Sequence, residues 1–419
     1  MKKLLFTVFT AALALCCTAA EKSPQKKAPA LKKVTALRLQ KNFFLPQKIY
    51  AVPGMEINIY FRNIFLTINH ANYIFHAKSP VGRTELKRWT FIPKAADAGK
   101  SFPLKIQIYD MEGLAAEGET TLHISPADAG KGKTLSILMV GDSLTNHSVY
   151  PEQLYMHCKK NGPALTMIGT RGIQGKARHP WGWHYATDSV PGGVAHEGYG
   201  GWTWNAFQRV YAKDERYNKL TPAQKVKARS QFLTLKNGKV QLDIPGYFQR
   251  RNQGKAPDVI TFQLGVNDIF TATDATRDKK IQEILQNAST LIAAFRKAAP
   301  EAVIGVGFVT PGSNQDSFGH GYKCLYTSWD YYCNHFRLNQ AMAKYFARCK
   351  DPKFYMIPTN VNLDTENNFP VQKVPANQHN KDRVIRQCNG VHPAVSGYRQ
   401  MGDTFYAWLK HLLAGPIKK

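Results

Sequence analysis

Short apolar segments alternate with amphipathic segments over roughly residues 134 to 415, and this alternation constrains the fold more than any other feature of the chain. Short apolar runs bounded by turn residues are typical of buried strands, whereas apolar residues spaced three and four apart are typical of helices. Strands and helices in alternation predict a parallel sheet covered by helices on both faces. We predict strands at 135–140, 164–168, 259–264, 303–309 and 354–357. We predict helices at 151–160, 279–298, 337–348 and 394–413.

The tetrapeptide Gly141-Asp142-Ser143-Leu144 follows directly after the first predicted strand of this region. A serine at that point lies at the edge of the sheet, where a helix begins, so its hydroxyl is accessible to a substrate. Its backbone N–H is one of the unpaired donors of a helix N-terminus. A nucleophilic serine needs both features, but Gly-Asp-Ser also makes ordinary strand-to-helix turns in which Asp or Ser caps the helix.

Three further short motifs follow in the chain. Gly201 lies in a segment rich in glycine and tryptophan, Asn267 lies in Gly-Val-Asn-Asp directly after a predicted strand, and His392 lies in Gly-Val-His-Pro just before a predicted helix. An imidazole titrates near neutral pH and can act as the base that a serine requires. In an open parallel sheet, ligands bind beyond the carboxyl ends of the strands, which is where Ser143 and Asn267 are predicted to lie.

Ser, Gly, Asn and His in this order, each within its own motif, resemble the SGNH (GDSL-type) hydrolase superfamily over residues 134–415. The resemblance implies a flavodoxin-like α/β three-layer sandwich with Ser143 as nucleophile and His392 as base. It implies three oxyanion donors: the backbone N–H of Ser143, the backbone N–H of Gly201 and the side-chain amide of Asn267. Gly200 is adjacent to Gly201, so the glycine donor is one of these two. The resemblance implies no metal and no organic cofactor.

The chain departs from the family pattern at Asn389, where the family usually has an aspartate three residues before the histidine. An amide oxygen can accept a hydrogen bond from the imidazole, but it carries no negative charge. We include Asn389 among the catalytic candidates. The alternatives are a backbone carbonyl, Asp382 in the preceding loop, or a Ser–His pair without a third residue.

The N-terminus predicts export. Residues 1–20 combine two lysines, an apolar stretch and small residues before a cleavage site after Ala20, which is typical of a secretory signal peptide. The protein is therefore expected to be secreted or periplasmic. Acylation of Cys16 or Cys17 would make it an outer-membrane lipoprotein instead, although Leu15 is bulky for that processing site. Residues 21–33, rich in Lys, Pro and Ala, are predicted to be a linker.

Residues 34–126 show alternating apolar and polar positions with frequent turns, which predicts a small all-β sandwich before the α/β domain. Two long segments, 172–201 and 207–255, exceed what a minimal α/β domain needs, and we expect them to form walls above the serine. Trp202 and Trp204 would stack on a sugar or pack in the core. Of the five cysteines beyond the signal, Cys324 and Cys333 are the best candidates for a disulfide, with free thiols as the alternative.

The formal net charge of +27 favours anionic partners, and an acidic glycan fits it best. The basic residues are spread along the chain and no nucleic-acid motif accompanies them, so nucleic acid is not an expected partner. The leading hypothesis is a serine esterase that removes acyl groups, above all O-acetyl groups, from a polysaccharide or a small ester. A lipolytic esterase, lysophospholipase or thioesterase on the same fold is one alternative. A non-catalytic glycan-binding protein is the other.

Overall fold

The computed structural model describes residues 37–172, 190, 193–210, 229–314 and 316–415. The chain from Leu37 onward forms one compact unit. The predicted signal peptide, the linker at 21–33, and Cys16 and Cys17 lie outside the described residues. Much of the two predicted wall segments lies outside them as well.

The N-terminal part is a β-sandwich of two sheets. A four-stranded sheet has the order β1-β7-β6-β3, and a three-stranded sheet has the order β2-β5-β4. Its strands are β1 (Lys48–Ala51), β2 (Ile57–Tyr60), β3 (Ile74–Lys78), β4 (Arg83–Thr84), β5 (Arg88–Phe91), β6 (Ser101–Asp110) and β7 (Gly113–Ile124), and one short helix, α1 (Phe61–Ile64), follows β2. Isoleucines, phenylalanines and Trp89 fill the space between the sheets, so Trp89 is a core residue.

The C-terminal part is built on a parallel sheet with the order β9-β8-β13-β14-β15, and β10 also pairs with β8. The strands are β8 (Thr134–Gly141), β9 (Ala164–Ile168), β10 (Glu197–Gly198), β13 (Val259–Gln263), β14 (Val303–Gly307) and β15 (Phe354–Ile357). By position along the chain the five main strands read 2-1-3-4-5, the flavodoxin-like order. The predicted α/β fold class with a preceding all-β sandwich is confirmed.

Helices flank this sheet, and their apolar faces pack in one large core with the strands. The helices are α2 (Ser143–Asn146), α3 (Val149–Asn161), α4 (Ala206–Arg209), α5 (Ile244–Asn252), α6 (Val266–Ile269), α7 (Arg277–Ala298), α8 (Phe318–Tyr322), α9 (Ser328–Phe346) and α10 (Val395–Leu413). Two antiparallel pairs lie outside these sheets: β11 (Leu233–Lys236) with β12 (Lys239–Leu242), and β16 (Val371–Pro375) with β17 (Arg383–Gln387).

The sandwich packs directly on the α/β part. Val361, which follows β15, lies in the core of the sandwich, and its carbonyl accepts a hydrogen bond from the backbone N–H of Tyr60. The neighbouring Asn362 accepts from the backbone N–H of Asn58 at 2.9 Å. The sandwich therefore fixes the loop that follows β15. The boundaries predicted at 34–126 and 134–415 stay predictions.

Two expectations need correction. Helix α9 begins at Ser328 rather than at residue 337, because Thr327 and Asp330 form a reciprocal capping box at its start. Cys324 and Cys333 are both free thiols, as are the other three cysteines beyond the signal, so the suggested disulfide is not formed. Cys324 is exposed and Cys333 is half-buried.

Candidate active site

The parallel register brings three of the four sequence motifs to one edge of the sheet. Gly141, at the end of β8, pairs with Gly198 on one side and with Gln263 on the other. Each of these strands therefore ends at the same level. The segments that follow carry Ser143, Gly201 and Asn267. This point lies between β8 and β13, where the strand order reverses, and a flavodoxin-like sheet binds its ligand there.

Ser143 is the first residue of α2. The carboxylate of Asp142 caps this short helix by accepting the backbone N–H of Leu144 at 2.9 Å. Asp142 is fully buried, whereas Ser143 is only half-buried. The sharp turn from strand to helix thus presents the Ser143 hydroxyl at the surface of the sheet edge.

His392 reaches the serine from the loop between β17 and α10. Its Nε2 lies 2.8 Å from Ser143 Oγ, which is hydrogen-bonding distance. The carbonyl of Gly390, two residues earlier, accepts the backbone N–H of Ser313 at 3.0 Å and anchors this loop to the segment after β14. The structure therefore joins the predicted nucleophile and base, which lie far apart in the chain.

Asn389 holds the backbone of the histidine loop. Its Oδ1 accepts the backbone N–H groups of Val391 at 3.0 Å and His392 at 2.9 Å, and its Nδ2 lies 3.5 Å from His392 Nδ1. Asp382 lies exposed in the turn between β16 and β17, where its backbone N–H donates to Asn380. Asn389 is thus the predicted third residue that the described structure places beside the imidazole.

The loop after β10 contains a tight turn. The backbone N–H of Trp202 donates to the carbonyl of Tyr199 at 3.2 Å, and Gly201 between them has a φ of 78°. A positive φ at this position is typical of a type II turn and favours glycine. Gly200 has no such φ. In the described residues, the backbone N–H groups of Ser143 and Gly201 donate no hydrogen bond, so both can serve a substrate oxygen.

Asn267, in α6, links the third motif to the second. Its Nδ2 donates to the carbonyl of Trp202 at 3.0 Å. The amide has a second hydrogen, so this contact orients the side chain beside Gly201 and leaves one donor for a substrate. The next residue, Asp268, accepts the backbone N–H of Trp204 at 3.0 Å and so ties the same two loops together.

Buried carboxyl groups support these loops from below. Burial raises the pKa of Asp142 to about 7, with the nearby Asp268 adding to the effect, and burial also raises the pKa of Asp268 to about 7. Burial raises the pKa of Glu197, which accepts hydrogen bonds from Thr170, Tyr199 and Tyr247. Glu197 thereby holds the start of the Gly201 loop.

Sequence reasoning missed several residues around the site. The ring of His147 lies 5.0 Å from that of His392, centroid to centroid, and His147 Nδ1 hydrogen-bonds the hydroxyl of Tyr398. His147 lies just after the Ser143 motif, and Tyr398 lies just after the His392 motif. This closeness in sequence to the two motifs is the signal that could have placed both residues near the site. Trp204 is fully buried against Phe262 and is a core residue. Trp202 is half-buried and stacks on Tyr199.

Fold and site together define a candidate serine hydrolase on a flavodoxin-like sheet. The family model described as GDSL-like Lipase/Acylhydrolase matches residues 137–405. The chain belongs to this family, and it is an ester hydrolase by class.

Solved structures similar to this chain include three carbohydrate esterases. The family 3 carbohydrate esterase of Clostridium thermocellum is 16% identical, with a TM-score of 0.38, and the match covers 68% of this chain and 100% of that chain. The family 3 esterase of Talaromyces cellulolyticus is 16% identical, with a TM-score of 0.36 and coverage of 67% and 98%. A carbohydrate acetylesterase family member of Sinorhizobium meliloti is 13% identical, with a TM-score of 0.36 and coverage of 67% and 99%. A search of curated protein sequences found no match.

In the described part of the chain, no group of three or more His, Cys, Asp or Glu side chains is placed to hold a metal ion. None of its helices combines the length and apolar character that crossing a membrane requires.

Proposed function

We propose that this protein is an exported serine esterase that hydrolyses O-acetyl esters on a polysaccharide. The observation that carries the proposal is the 2.8 Å contact between His392 Nε2 and Ser143 Oγ, with candidate oxyanion donors on the two neighbouring strand ends. Membership of an acylhydrolase family supports ester hydrolysis. The net charge of +27 supports an acidic glycan as substrate, and the N-terminal sequence supports export.

The proposed reaction has two halves. Ser143 Oγ attacks the acetyl carbonyl carbon while its proton passes to His392 Nε2, and the carbonyl oxygen becomes an oxyanion. The backbone N–H groups of Ser143 and Gly201 and the amide of Asn267 stabilise this oxyanion. The C–O bond to the sugar then breaks, and the imidazolium returns the proton to the departing sugar oxygen. His392 then takes a proton from water, whose oxygen attacks the carbonyl carbon of the acetyl-serine. The C–O bond to Ser143 breaks, the imidazolium returns the proton to Ser143 Oγ, and acetate is released.

Initial rates on three substrates test the proposal: p-nitrophenyl acetate, p-nitrophenyl decanoate and an O-acetylated acidic polysaccharide. We expect the purified wild-type protein to release acetate from the polysaccharide and to prefer acetate to decanoate. Ser143→Ala should lower kcat/KM by about 10³-fold or more on every ester.

The matched control is Ser148→Ala. Ser148 is a buried serine at the start of α3, and its hydroxyl hydrogen-bonds His196 and not His392. It should retain ester hydrolysis far above the level of Ser143→Ala. Equal rates for wild type and Ser143→Ala would show that the protein is not a serine esterase and would favour a glycan-binding role. A preference for decanoate would favour the lipolytic alternative.

A further inference from the structure

A cavity of about 650 Å³ lies between the β-sandwich and the loop after β15, apart from Ser143 and the oxyanion donors. Its size falls in the range of roughly 300–1,000 Å³ that is usual for ligand sites. The sandwich contributes α1, β3 and the β4–β5 hairpin, and the α/β part contributes Asn314 and the segment 364–367. None of the residues to which we assign a role in acyl transfer lines this cavity.

Three cations line the cavity, and two of them are neutralised within the protein. Lys87 Nζ contacts both carboxylate oxygens of Glu366 at 2.7 and 2.6 Å, and Arg88 Nε contacts Glu85 at 2.7 Å. The third carboxylate of the cavity, Asp364, accepts hydrogen bonds from the backbone N–H groups of two following residues. The carboxylates of Glu366 and Glu85 are therefore paired with cations of the cavity, and Asp364 is hydrogen-bonded to the backbone of its own loop.

Arg62, the third cation of the cavity, lies against an aromatic ring, whereas Lys87 and Arg88 each contact a carboxylate. Its guanidinium lies over the ring of Tyr332, 4.4 Å from the centroid, and within the described residues it forms no hydrogen bond or salt bridge through its side chain. Burial lowers the pKa of Arg62, and the charge of Glu366, a carboxylate that Lys87 already holds, acts in the opposite direction. An anionic ligand beside the guanidinium would offset the cost of its burial. A guanidinium fork in this position matches the paired oxygens of a carboxylate or a sulfate.

Aromatic side chains form the adjoining wall. Tyr73 and Phe75 are half-buried. The ring of Phe75 is held by Phe61 in a nearly parallel stack at 4.6 Å, and the ring of His70 stacks on Phe75 at 6.0 Å. A rigid aromatic face next to a few fixed polar groups is the usual composition of a site for a ring-shaped ligand, including a sugar.

The cavity is connected to the catalytic loop through the backbone. Asn314, on its wall, donates its backbone N–H to the carbonyl of Thr365 at 3.2 Å. The preceding residue, Ser313, donates to Gly390, two residues before His392. Gln387 also donates to the carbonyl of Thr365, at 2.9 Å. One hydrogen-bonded framework thus carries both the cavity wall and the proposed base.

From this arrangement we propose that the cavity binds an anionic sugar unit of the polysaccharide, with Arg62 pairing the carboxylate or sulfate and Phe75 and Tyr73 packing against the ring. The inference rests on the proposed function for the identity of the polysaccharide. It adds that the enzyme selects acidic glycans through a defined site and not only through its overall positive charge.

Isothermal titration calorimetry tests the site with ligands that carry no O-acetyl group. The ligands are trigalacturonate, its methyl-esterified form and a sulfated carrageenan oligosaccharide. The methyl ester, and trigalacturonate for comparison with it, are titrated on Ser143→Ala so that the methyl ester stays intact. The variants are Arg62→Gln and Arg62→Lys. The control is Arg348→Gln, which removes the same charge from an exposed position two residues after α9.

We expect Arg62→Gln to weaken binding of one charged ligand by about tenfold or more, with Arg62→Lys in between because it keeps the charge and loses the fork. Arg348→Gln should bind as wild type does. The charged ligand that responds identifies uronate or sulfate as the anion. If both charged ligands bind Arg62→Gln as tightly as wild type, or if wild type binds none of the ligands, the proposal is overturned.

Thermal melting shows whether Arg62→Gln is folded. If it is not, Ser143→Ala and Arg62→Lys decide the question. The proposal is overturned if the methyl ester binds Ser143→Ala as tightly as trigalacturonate does and if Arg62→Lys binds the sulfated oligosaccharide as tightly as wild type does. Esterase activity is measured separately on p-nitrophenyl acetate. The two results are therefore independent. Arg62-dependent binding can be observed even if the protein is not an esterase, and esterase activity can be observed even if Arg62 does not bind the glycan.

Discussion

Asn389 directs its amide nitrogen, and not its oxygen, toward the imidazole of His392. The oxygen is occupied by two backbone N–H groups of the same loop, those of Val391 and His392, and these fix the orientation of the amide. The nitrogen, a donor, lies 3.5 Å from His392 Nδ1. A donor there favours the imidazole tautomer that carries its proton on Nε2, whereas a base facing Ser143 needs Nε2 free of a proton.

Asn389→Asp should therefore raise esterase activity. One carboxylate oxygen can keep the two backbone N–H groups, and the other replaces the amide nitrogen with an acceptor for Nδ1–H. We expect kcat/KM on p-nitrophenyl acetate to rise about tenfold or more, since the reverse change in a serine protease costs about 10⁴ in turnover. A neighbouring negative charge also raises the pKa of an imidazole, so the acid limb of the kcat/KM profile should move to higher pH.

The control for this change is Asp382→Asn. Asp382 is exposed in the turn between β16 and β17, so its carboxylate should not contribute and the variant should keep the wild-type rate. A severe loss of activity in Asp382→Asn, or an unchanged pH profile in Asn389→Asp, would contradict the role that we assign to Asn389.

Gly201 and Gly200 form a matched pair for testing the glycine donor. Gly201 has a φ of 78°, where a Cβ costs roughly 1–2 kcal/mol, whereas Gly200 has no positive φ and an added Cβ would meet no atom within 4 Å. Gly201→Ala should lower both the melting temperature and kcat, because the turn must shift the N–H that faces the substrate. Gly200→Ala should leave both nearly unchanged; the opposite result would move the donor to Gly200.

Asn267→Ala should lower kcat by about 10²–10³-fold with little change in KM, because the amide would stabilise the oxyanion and not the ground-state carbonyl. Steady-state kinetics on p-nitrophenyl acetate measure both constants. Asn252→Ala is the control, since this amide lies at the end of α5 and donates to the carbonyl of Lys255. A rise in KM at constant kcat would show that Asn267 binds substrate without a specific role in the transition state.

The strands of the central sheet were the part of the fold most accessible to sequence reasoning. Residues 164–168 and 354–357 were predicted with the bounds that the structure has, and the other three main strands differ by a few residues at their ends. Buried parallel strands are continuous apolar runs, so their signal is local. The serine motif and Asn267 could be placed at the sheet edge for the same reason.

Other features depend on contacts between distant segments, which a single sequence does not reveal. The start of α9 contains polar and aromatic residues whose burial depends on the fold, including Asn334, which is buried at the centre of several hydrogen bonds. The β16–β17 hairpin is half-exposed and has no continuous apolar run. The orientation of the Asn389 amide follows from loop backbone geometry, so the residue type alone could not predict it.

Asp268 makes the stability of the fold depend on pH in a defined direction. Its pKa is raised from 3.8 to about 7 in the folded protein, so between about pH 4 and 7 the folded state binds more protons than the unfolded state. The free energy of unfolding must then fall as pH rises through this window, by at most about 1.4 kcal/mol per pH unit for this group. The stability that the raised pKa of Asp268 contributes to the folded state is fully present below about pH 4 and is lost above about pH 7.

Asp268→Asn removes this titration but keeps an oxygen that can accept the backbone N–H of Trp204. Its melting temperature relative to wild type should therefore be higher at pH 8 than at pH 5, as measured by differential scanning calorimetry in matched buffers. The buried Asp142 retains a dependence of the same sign, so the slope should decrease and not vanish. Asp274→Asn, at an exposed carboxylate paired with Arg277, is the control for the loss of a surface charge. A pH-independent shift for Asp268→Asn would mean that Asp268 does not hold a proton in the folded state at pH 5.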